Sequence, residues 1–470
     1  MHIDRRAFLA ASAAAALSAE LSAQTGPVLR PEDFGARGDG ATNDSDAFTA
    51  LSRRIAAMGG GTIALTAGRT YLVGRQRRAP DRAFAPQPLI ELTGITRPLT
   101  IVGNGARLRA APGLRFGAFD AARDRPVHRT MPNFRVTDIA SPYSGMIVVR
   151  GARAPVTIRD IELDGNLPRL RIGGRYGDTG WQIAGSGLFL VDNLAEEIIS
   201  NVYSHHHGQD GAMIDGLSRR SARSRITRLV CRSNGRQGMS IVGGNGYDFA
   251  DCEFSRTGRS VISSAPGAGV DIEAEGGKII RDLSFTRCKF LDNAGPGLIA
   301  DTGDSAQARF TDCQFVGSTN WSAWPNKPGL IFERCTFAGT LVHAFTGPSG
   351  ATRFNQCRFT DDSSLSQTGR LYFGGPTSGA VVNLSESDEV LFDECRFELT
   401  RHGLLPWTWR ALYRDCTMRQ ASRQTATPKG KYLGRTTIDA PVDLYGSMVV
   451  GTLIVNGRTI PRGPIGVPPW

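Results

Sequence analysis

The chain is poor in lysine and histidine, and beyond its N-terminus it has no long apolar run. Of its 470 residues, 55 are basic, but only five of these are lysine, and histidine occurs seven times. No basic run is interleaved with aromatic residues, the pattern typical of nucleic-acid binding. No segment after the first 23 residues is apolar for long enough to span a bilayer. We therefore expect neither a nucleic-acid partner nor a membrane span.

The basic residues are almost all arginine, and the formal net charge is +11. A guanidinium group binds carboxylates and phosphates through two parallel hydrogen bonds, so this composition suits acidic ligands. A bias in codon usage would produce the same composition, so the charge alone does not identify a partner.

The N-terminus has the order of an export signal. Arg5 and Arg6 precede an alanine-rich apolar stretch, which is followed by small residues up to Ala23. This order of a charged, an apolar and a small-residue region is that of a signal peptide. The paired arginines resemble a twin-arginine signal. We expect residues 1–23 to be a signal peptide and the mature protein to be periplasmic or secreted.

The cysteines occupy one position of a repeat. They lie 21, 36, 25, 22, 22, 38 and 21 residues apart, and six of them are followed two residues later by phenylalanine. Residues i and i+2 of a strand face the same side, so cysteine and phenylalanine should share the interior of a sheet. We predict reduced, buried cysteines rather than disulfides. The positions are Cys231, Cys252, Cys288, Cys313, Cys335, Cys357, Cys395 and Cys416.

A repeat of about 22 residues, rich in glycine turns, predicts a solenoid of roughly a dozen stacked coils. The longer spacings correspond to one coil plus a loop. Residues 34–73 predict a cap for its first coil. Asp44 and its neighbours are typical N-cap residues, Phe48, Leu51 and Ile55 fall on one helical face, and a triple glycine then ends the helix.

Residues 34–73 resemble the N-terminal block of the pectate-lyase-like superfamily. The matching residues are Phe34-Gly35-Ala36, Gly38-Asp39-Gly40, Asp44, Gly59-Gly60-Gly61 and Tyr71, with Asn43 in place of an acid. The resemblance implies an all-β protein, a single-stranded right-handed parallel β-helix with an N-terminal capping helix. It implies polysaccharide chemistry only loosely, because fold does not fix function. The expected parts are a signal peptide (1–23), cap and first strands (24–75), coils (76–424), and closing strands with a proline-rich tail (425–470).

The stretch "SHHHGQDGAMIDG" (204–216) aligns with the next coil. Ser204 falls over Cys231 and Asp210 over Gln237. Adjacent histidines on a strand point to opposite faces, so the triple histidine does not predict a zinc site. A catalytic or substrate-binding turn and an ordinary polar turn both remain open.

"GAGVDIEAEGG" (267–277) supplies a second set of candidates. Alternation predicts that Asp271 and Glu273 project outward on one strand face, roughly 7 Å apart. We expect them in one external groove with the side chains of His206 or His207, Asp210, Arg236 and Gln237.

Two reactions fit such a groove. A lyase acting on a uronic acid must neutralise the sugar carboxylate, remove a proton and protonate the leaving oxygen. Arg236, Arg256 and Lys278 could bind the carboxylate, His206 or His207 could move the proton, and the two acids could hold Ca²⁺. A hydrolase would instead use Asp271 and Glu273 as its carboxylate pair. The motifs usual in the polygalacturonase branch are not intact here.

A third alternative is a non-catalytic glycan-binding β-helix, in which Trp321 and Trp324 stack on sugar rings. We predict an exported protein that cleaves an acidic polysaccharide, in the first place as a lyase. No cofactor is predicted, apart from the Ca²⁺ that the two acids could hold. The sequence gives no indication of oligomeric state. The predicted catalytic residues are Asp271, Glu273, His206, His207 and Asp210. The predicted substrate-binding residues are Arg236, Gln237, Arg256, Lys278, Trp321 and Trp324.

Overall fold

The computed structural model describes residues 27–79, 82, 84–374 and 379–466. The chain divides into two compact units, residues 1–267 (unit 1) and 268–470 (unit 2). The predicted signal peptide lies outside the described residues. No helix within the described residues is long and apolar enough to cross a membrane.

The N-terminal cap of unit 1 is the predicted amphipathic helix. It spans Ser45–Met58, and Phe48, Leu51 and Ile55 on its inner face are buried. The Asp44 carboxylate accepts hydrogen bonds from two preceding backbone N–H groups, at 2.7 and 3.1 Å. Short 3₁₀ turns lie at Pro31–Phe34, Val136–Asp138 and Leu167–Arg169.

Unit 1 is built from parallel strands that stack in register. One buried column runs through Ile63, Ile101, Ile158, Ile199 and Ile226, each paired with its neighbour in the next coil. The strands of three or more residues are Asp39–Asn43, Gly61–Ala64, Thr70–Val73, Ile90–Thr93, Leu99–Val102, Arg107–Ala110, Arg115–Asp120, Gly145–Arg150, Val156–Asp164, Ser186–Val191, Glu197–His205, Asp210–Asp215, Ser224–Arg232, Gln237–Ala250 and Glu253–Ser255.

Unit 2 carries two aromatic columns beside the cysteines. Phe310 stacks on Phe332 with ring centroids 4.8 Å apart, and Phe315 stacks on Phe337 at the same distance. The strands of three or more residues are Val270–Ile272, Ile279–Thr286, Lys289–Leu291, Leu298–Ala300, Ala308–Thr311, Gln314–Val316, Ala323–Pro325, Ile331–Glu333, Thr336–Ala338, Arg353–Asn355, Arg358–Thr360, Leu391–Asp393, Arg396–Leu399, Thr408–Arg414, Thr417–Gln420, Pro428–Leu433, Arg435–Asp439, Ser447–Val449, Thr452–Val455, Arg458–Ile460 and Gly463–Ile465. A 3₁₀ turn lies at Ser363–Leu365.

The cysteines are free and buried, as predicted. In unit 2 each cysteine stands three residues after a buried aromatic residue in the sequence. The Cys335 thiol donates to the Phe310 carbonyl oxygen in the coil before it, at 3.4 Å. Burial raises the pKa of the Cys231 thiol well above its usual value. Because all eight are buried and none forms a disulfide, these side chains act as small apolar core residues.

The closing segment consists of further paired strands. Parallel pairing extends past residue 424, where Arg435–Asp439 pairs with Thr452–Val455. Two antiparallel strand pairs then end the parallel pairing. One of them joins Thr452–Val455 to Arg458–Ile460. The predicted fold is confirmed: an all-β, single-stranded right-handed parallel β-helix with an N-terminal capping helix.

Candidate functional site

Three neighbouring strands of unit 1 bring charged side chains together. Arg107, Glu162 and Tyr203 pair directly across these strands, and two positions along, Arg109, Asp164 and His205 do the same. Leu108, Leu163 and Ser204, the residues between the two rows, are buried in the interior. Because side chains alternate along a strand, the charged rows point away from that interior. We call this group the acid–histidine cluster. Its members are Arg107, Arg109, Glu162, Asp164, His205 and His206.

The two acids of the cluster are ion-paired and covered by their neighbours. The Arg107 guanidinium Nε lies 2.7 Å from Glu162 Oε1, and Arg109 Nε donates to Asp164 Oδ2 at 2.8 Å. Glu162 is only 1% exposed, although its strand position faces outward. Buried carboxylates remain charged when such partners compensate them. The cluster therefore pairs two carboxylates with two guanidinium groups.

His205 is held by both acids. Its Nε2 lies 3.1 Å from Glu162 Oε1, and its Nδ1 lies 3.7 Å from Asp164 Oδ1. The Tyr203 ring stacks on the imidazole, with centroids 4.3 Å apart. These contacts fix the position and plane of the ring. A histidine oriented in this way by a carboxylate is a common element of proton-transfer sites.

His206 forms the accessible end of the cluster. Its Nδ1 lies 2.7 Å from His205 Nδ1, so one of the two nitrogens must donate and the other accept. His206 is half-buried and adopts a left-handed backbone, with φ of 53°. Burial lowers the pKa of His206 to about 4, assisted by His205, Arg232 and Arg256, while Asp164 opposes the shift. His206 is therefore neutral at pH 7 and able to accept a proton.

Burial raises the pKa of Asp164, but His205 and Arg109 outweigh that effect and hold the pKa below its ordinary value. Asp164 is therefore ionised at neutral pH. It stabilises positive charge beside it and is not available as an acid.

Three side chains of the cluster also have the geometry to hold a metal ion. Asp164, His205 and His206 each offer one ligand atom, and these atoms lie within 4.8 Å of one another. Two imidazoles and one carboxylate suit a transition metal better than Ca²⁺. However, Arg109 already binds the Asp164 carboxylate. The arginine competes with any cation for this carboxylate.

His207 does not lie in an external groove, because its side chain has no exposed surface. Its Nδ1 lies 2.9 Å from the Tyr143 hydroxyl and its Nε2 lies 3.1 Å from the Leu163 carbonyl oxygen. Burial lowers its pKa to about 3, with His205 adding to the effect. The alternation that sends His206 outward turns His207 inward. His207 is therefore a neutral interior residue that fixes the turn.

The predicted alignment of the two coils is confirmed, but the predicted exposure of their residues is not. Ser204 pairs with Cys231 and Asp210 pairs with Gln237, as the alignment expects. Asp210 and Gln237, however, have no exposed surface, so the expectation that they line an external groove is wrong. The Asp210 carboxylate accepts a hydrogen bond from the Ser240 hydroxyl at 2.9 Å. These residues stabilise the turn from inside.

The remaining substrate-binding candidates of unit 1 are partly accessible. One guanidinium nitrogen of Arg236 lies 4.0 Å from Asp210, and its side chain is mostly buried. Arg256 is half-buried and its charge acts on His206, so it belongs to the surroundings of the acid–histidine cluster.

Asp271, Glu273 and Lys278 lie in unit 2. Asp271 is 4% exposed, so the expectation that it projects into solvent is wrong. It sits between buried Val270 and Ile272 and pairs with Ile299 of the next coil, which is itself buried. Glu273 and Lys278 are half-buried. Their role as an acidic centre and a substrate contact stays a prediction.

Trp321 and Trp324 of unit 2 form a compact aromatic group with His343. The two indole centroids lie 5.1 Å apart with the rings nearly perpendicular, and the Trp324 and His343 rings lie 4.6 Å apart. Both tryptophans are half-buried, so part of each is accessible. Their predicted stacking on sugar rings stays a prediction.

Sequence reasoning missed most of the acid–histidine cluster. Glu162 and Asp164 stand in "IELDG", one coil before the triple histidine. Extending the alignment backward by one coil would have placed Leu163 over Ser204, and the two acids over Tyr203 and His205. The signal was lost because neither cysteine nor phenylalanine marks that coil.

Comparison with known proteins gives distant similarities. No family model matches the chain. The chain is 23% identical over 348 residues to the KN3-specific capsule depolymerase 1 of Klebsiella phage KN3-1. The match covers 69% of this chain but only 40% of the relative, so the chain spans less than half of that protein's length.

Solved structures with the same architecture are more distant in sequence. The A-modules of two mannuronan C-5 epimerases from Azotobacter vinelandii superpose with TM-scores of 0.49 and 0.48, at 15% and 14% identity. The alignments cover 82% and 94% of this chain and 98% and 100% of those modules. Tailspike protein gp49 of Acinetobacter baumannii bacteriophage Fri1, a capsular polysaccharide depolymerase, gives a TM-score of 0.40 at 12% identity, over 83% of this chain and 59% of that chain. None of these structures assigns a reaction to this chain.

Proposed function

We propose that the protein cleaves an acidic polysaccharide by β-elimination, and that the acid–histidine cluster moves the proton. The observation that carries this proposal is the His205–His206 pair. His206 is neutral, accessible and hydrogen-bonded through His205 to Glu162. A base oriented by a second group, with that group held by a third, is the arrangement that proton abstraction requires.

The reaction needs three operations at a uronic acid. The base removes the proton on the carbon beside the carboxylate, a carbon–carbon double bond forms, and the bond from the ring to the glycosidic oxygen breaks. His206 would take the proton. The guanidinium groups of Arg232 and Arg256, whose charges reach His206, would attract the sugar carboxylate.

The leaving oxygen must then receive a proton. Tyr203 lies against His205, and burial raises the pKa of its hydroxyl, so the hydroxyl keeps its proton at neutral pH. It would donate that proton to the leaving oxygen and be restored from solvent. Asp164 remains ionised and would stabilise His205 while the proton moves.

Two further observations support an acidic polysaccharide as the substrate. The chain is similar to a capsule depolymerase over 69% of its length, and that relative's name specifies a capsule. The formal net charge of +11 attracts polyanions. The particular sugar and linkage do not follow from either.

Hydrolysis is the second candidate. Glu162 and Asp164 are two residues apart on one strand face. Residues placed in this way lie roughly 7 Å apart along a strand, a separation that an inverting glycosidase can use. Such an enzyme needs one protonated acid, whereas Asp164 is held ionised. Asp271 and Glu273 of unit 2 offer the same spacing and remain the candidate pair for that reaction. Glycan binding without cleavage would use Trp321 and Trp324.

A panel of acidic and neutral polysaccharides tests the proposal. Each digest is scored for unsaturated products that absorb in the ultraviolet and for new reducing ends, before and after treatment with a chelator. Unsaturated product supports β-elimination. Reducing ends without ultraviolet absorbance mean hydrolysis and overturn the lyase. Neither signal, with retained binding, means a binding protein.

A further inference from the structure

An arginine-lined groove lies on the outer face of unit 2, on three successive coils. It has a volume of about 480 Å³ and is lined in part by Arg358, Arg396, Arg401 and Arg419. The acids in its lining are Asp362 and Glu398. We call this surface the arginine groove.

The strand register places like charges side by side. Arg358 and Arg396 are direct partners in adjacent parallel strands, and the partner of Arg396 in the next strand is Thr417. Adjacent strands are about 4.8 Å apart. Like charges directly opposite each other destabilise a sheet. An anion bound nearby would offset this repulsion.

The two acids of the groove neutralise only part of the positive charge of its four arginines. Glu398 Oε2 accepts from Arg358 Nε at 2.6 Å. Asp362 accepts from the backbone N–H and the hydroxyl of Ser364, at 3.1 and 2.7 Å. The local acids are therefore committed to Arg358 and to a turn.

Arg396 and Arg419 are left without such a partner. Both are exposed, and within the described part of the chain neither guanidinium forms a hydrogen bond or an ion pair. Arg419 stands directly across from Glu398 in the neighbouring strand without pairing with it. The groove therefore offers two free guanidinium groups on adjacent coils.

We propose that the arginine groove binds a segment of acidic polysaccharide, as a binding site separate from the acid–histidine cluster of unit 1. Guanidinium groups bind carboxylates through paired hydrogen bonds, and two of them on successive coils can bind two carboxylates of one polymer. Nucleic acid fits less well, because no aromatic side chain lines the groove to stack on bases. The inference does not require the protein to cleave anything.

Affinity electrophoresis tests the groove directly. Wild-type protein migrates through gels containing polygalacturonate, alginate or neutral dextran, and duplex DNA is added as a competitor in solution. The variant R396Q/R419Q removes both free guanidinium groups. The control is R53Q/R54Q, which removes the same charge from two exposed arginines on the capping helix.

We expect R396Q/R419Q to weaken binding to at least one acidic polymer by roughly tenfold and to reduce its dependence on salt. R53Q/R54Q should change it less than about twofold, and dextran should not retard any form. Equal losses in the two variants would mean a non-specific charge effect and overturn the site. Unchanged binding by R396Q/R419Q, or stronger competition by DNA than by free acidic polymer, would also overturn it.

These readouts separate the groove from the proposed reaction. Retardation is measured without turnover, so a protein that cleaves nothing can still confirm the groove. A lyase whose binding is unaffected by R396Q/R419Q would keep the proposed function and lose this site.

Discussion

The strands of unit 2 that carry the cysteines and the strands of unit 1 that carry the acid–histidine cluster use one architecture in different ways. In unit 2 the inner columns repeat phenylalanine and cysteine in successive coils, as at Phe310, Phe332 and Phe354. In unit 1 the inner columns are aliphatic, as at Ile158, and polar residues such as Ser204 enter them. Regularity marks the interior, whereas the candidate site lies where the outward rows change from coil to coil.

The largest expected effect concerns the aromatic columns of unit 2. Phe332 stacks on Phe310 at 4.8 Å and on Phe354 at 5.1 Å, and it is fully buried. Replacing it with alanine removes both contacts and leaves a cavity. We expect Phe332→Ala to lower the free energy of unfolding by about 3–5 kcal/mol, measured by urea denaturation.

The matched change in unit 1 is Ile158→Val, which removes one methylene from the aliphatic column. We expect a loss of about 0.5–1.5 kcal/mol, because the neighbouring isoleucines can close around the smaller side chain. If Phe332→Ala cost no more than Ile158→Val, stacking would not distinguish the two interiors.

The next effect concerns the outward row of unit 1. We expect His206→Gln and Glu162→Gln each to reduce the rate of cleavage by at least about a hundredfold, a change of about 2.7 kcal/mol in the barrier. The first removes the base and the second removes the carboxylate that holds His205. The measurement is kcat on whichever acidic polymer gives product, with circular dichroism to check the fold.

The comparison variants are Asp271→Asn and Glu273→Gln in unit 2. If the cluster of unit 1 is the reaction centre, both should keep turnover within about threefold of wild type. Loss of activity in these variants, with activity retained in His206→Gln, would move the centre to unit 2. Hydrolysis by that acid pair would then be the better interpretation.

The fold was predictable because it repeats. The cysteine spacing gave the period, and the segment around Asp44 and Phe48 gave the cap, so the interior could be derived from the sequence. The residues of the second aromatic column, which runs through Phe332, precede the cysteines of unit 2 by three positions and were also present in the sequence.

The candidate site was harder to derive. Alternation assigns a side chain to a face but does not say what covers that face. Asp210 and Asp271 were expected in an external groove and are buried. His205 becomes significant only through contacts with residues about 40 positions away in the chain, such as Glu162. No local pattern marks those contacts.

The smallest effect is a shift in the pH profile. Burial, His205 and the nearby arginines lower the pKa of His206 to about 4, so this base is unprotonated above that pH. Activity that depends on it should persist through pH 6 and fall as the pH drops through about 4. Arg256 is one of the cations that disfavour protonation, so Arg256→Gln should raise this pKa and move the acidic limb of kcat upward, by less than about one unit. The conservative variant Arg256→Lys keeps the charge and should leave the limb in place. A limb near the ordinary histidine pKa of 6.5 in wild type, or one that Arg256→Gln moves downward, would contradict the assignment of His206 as the base.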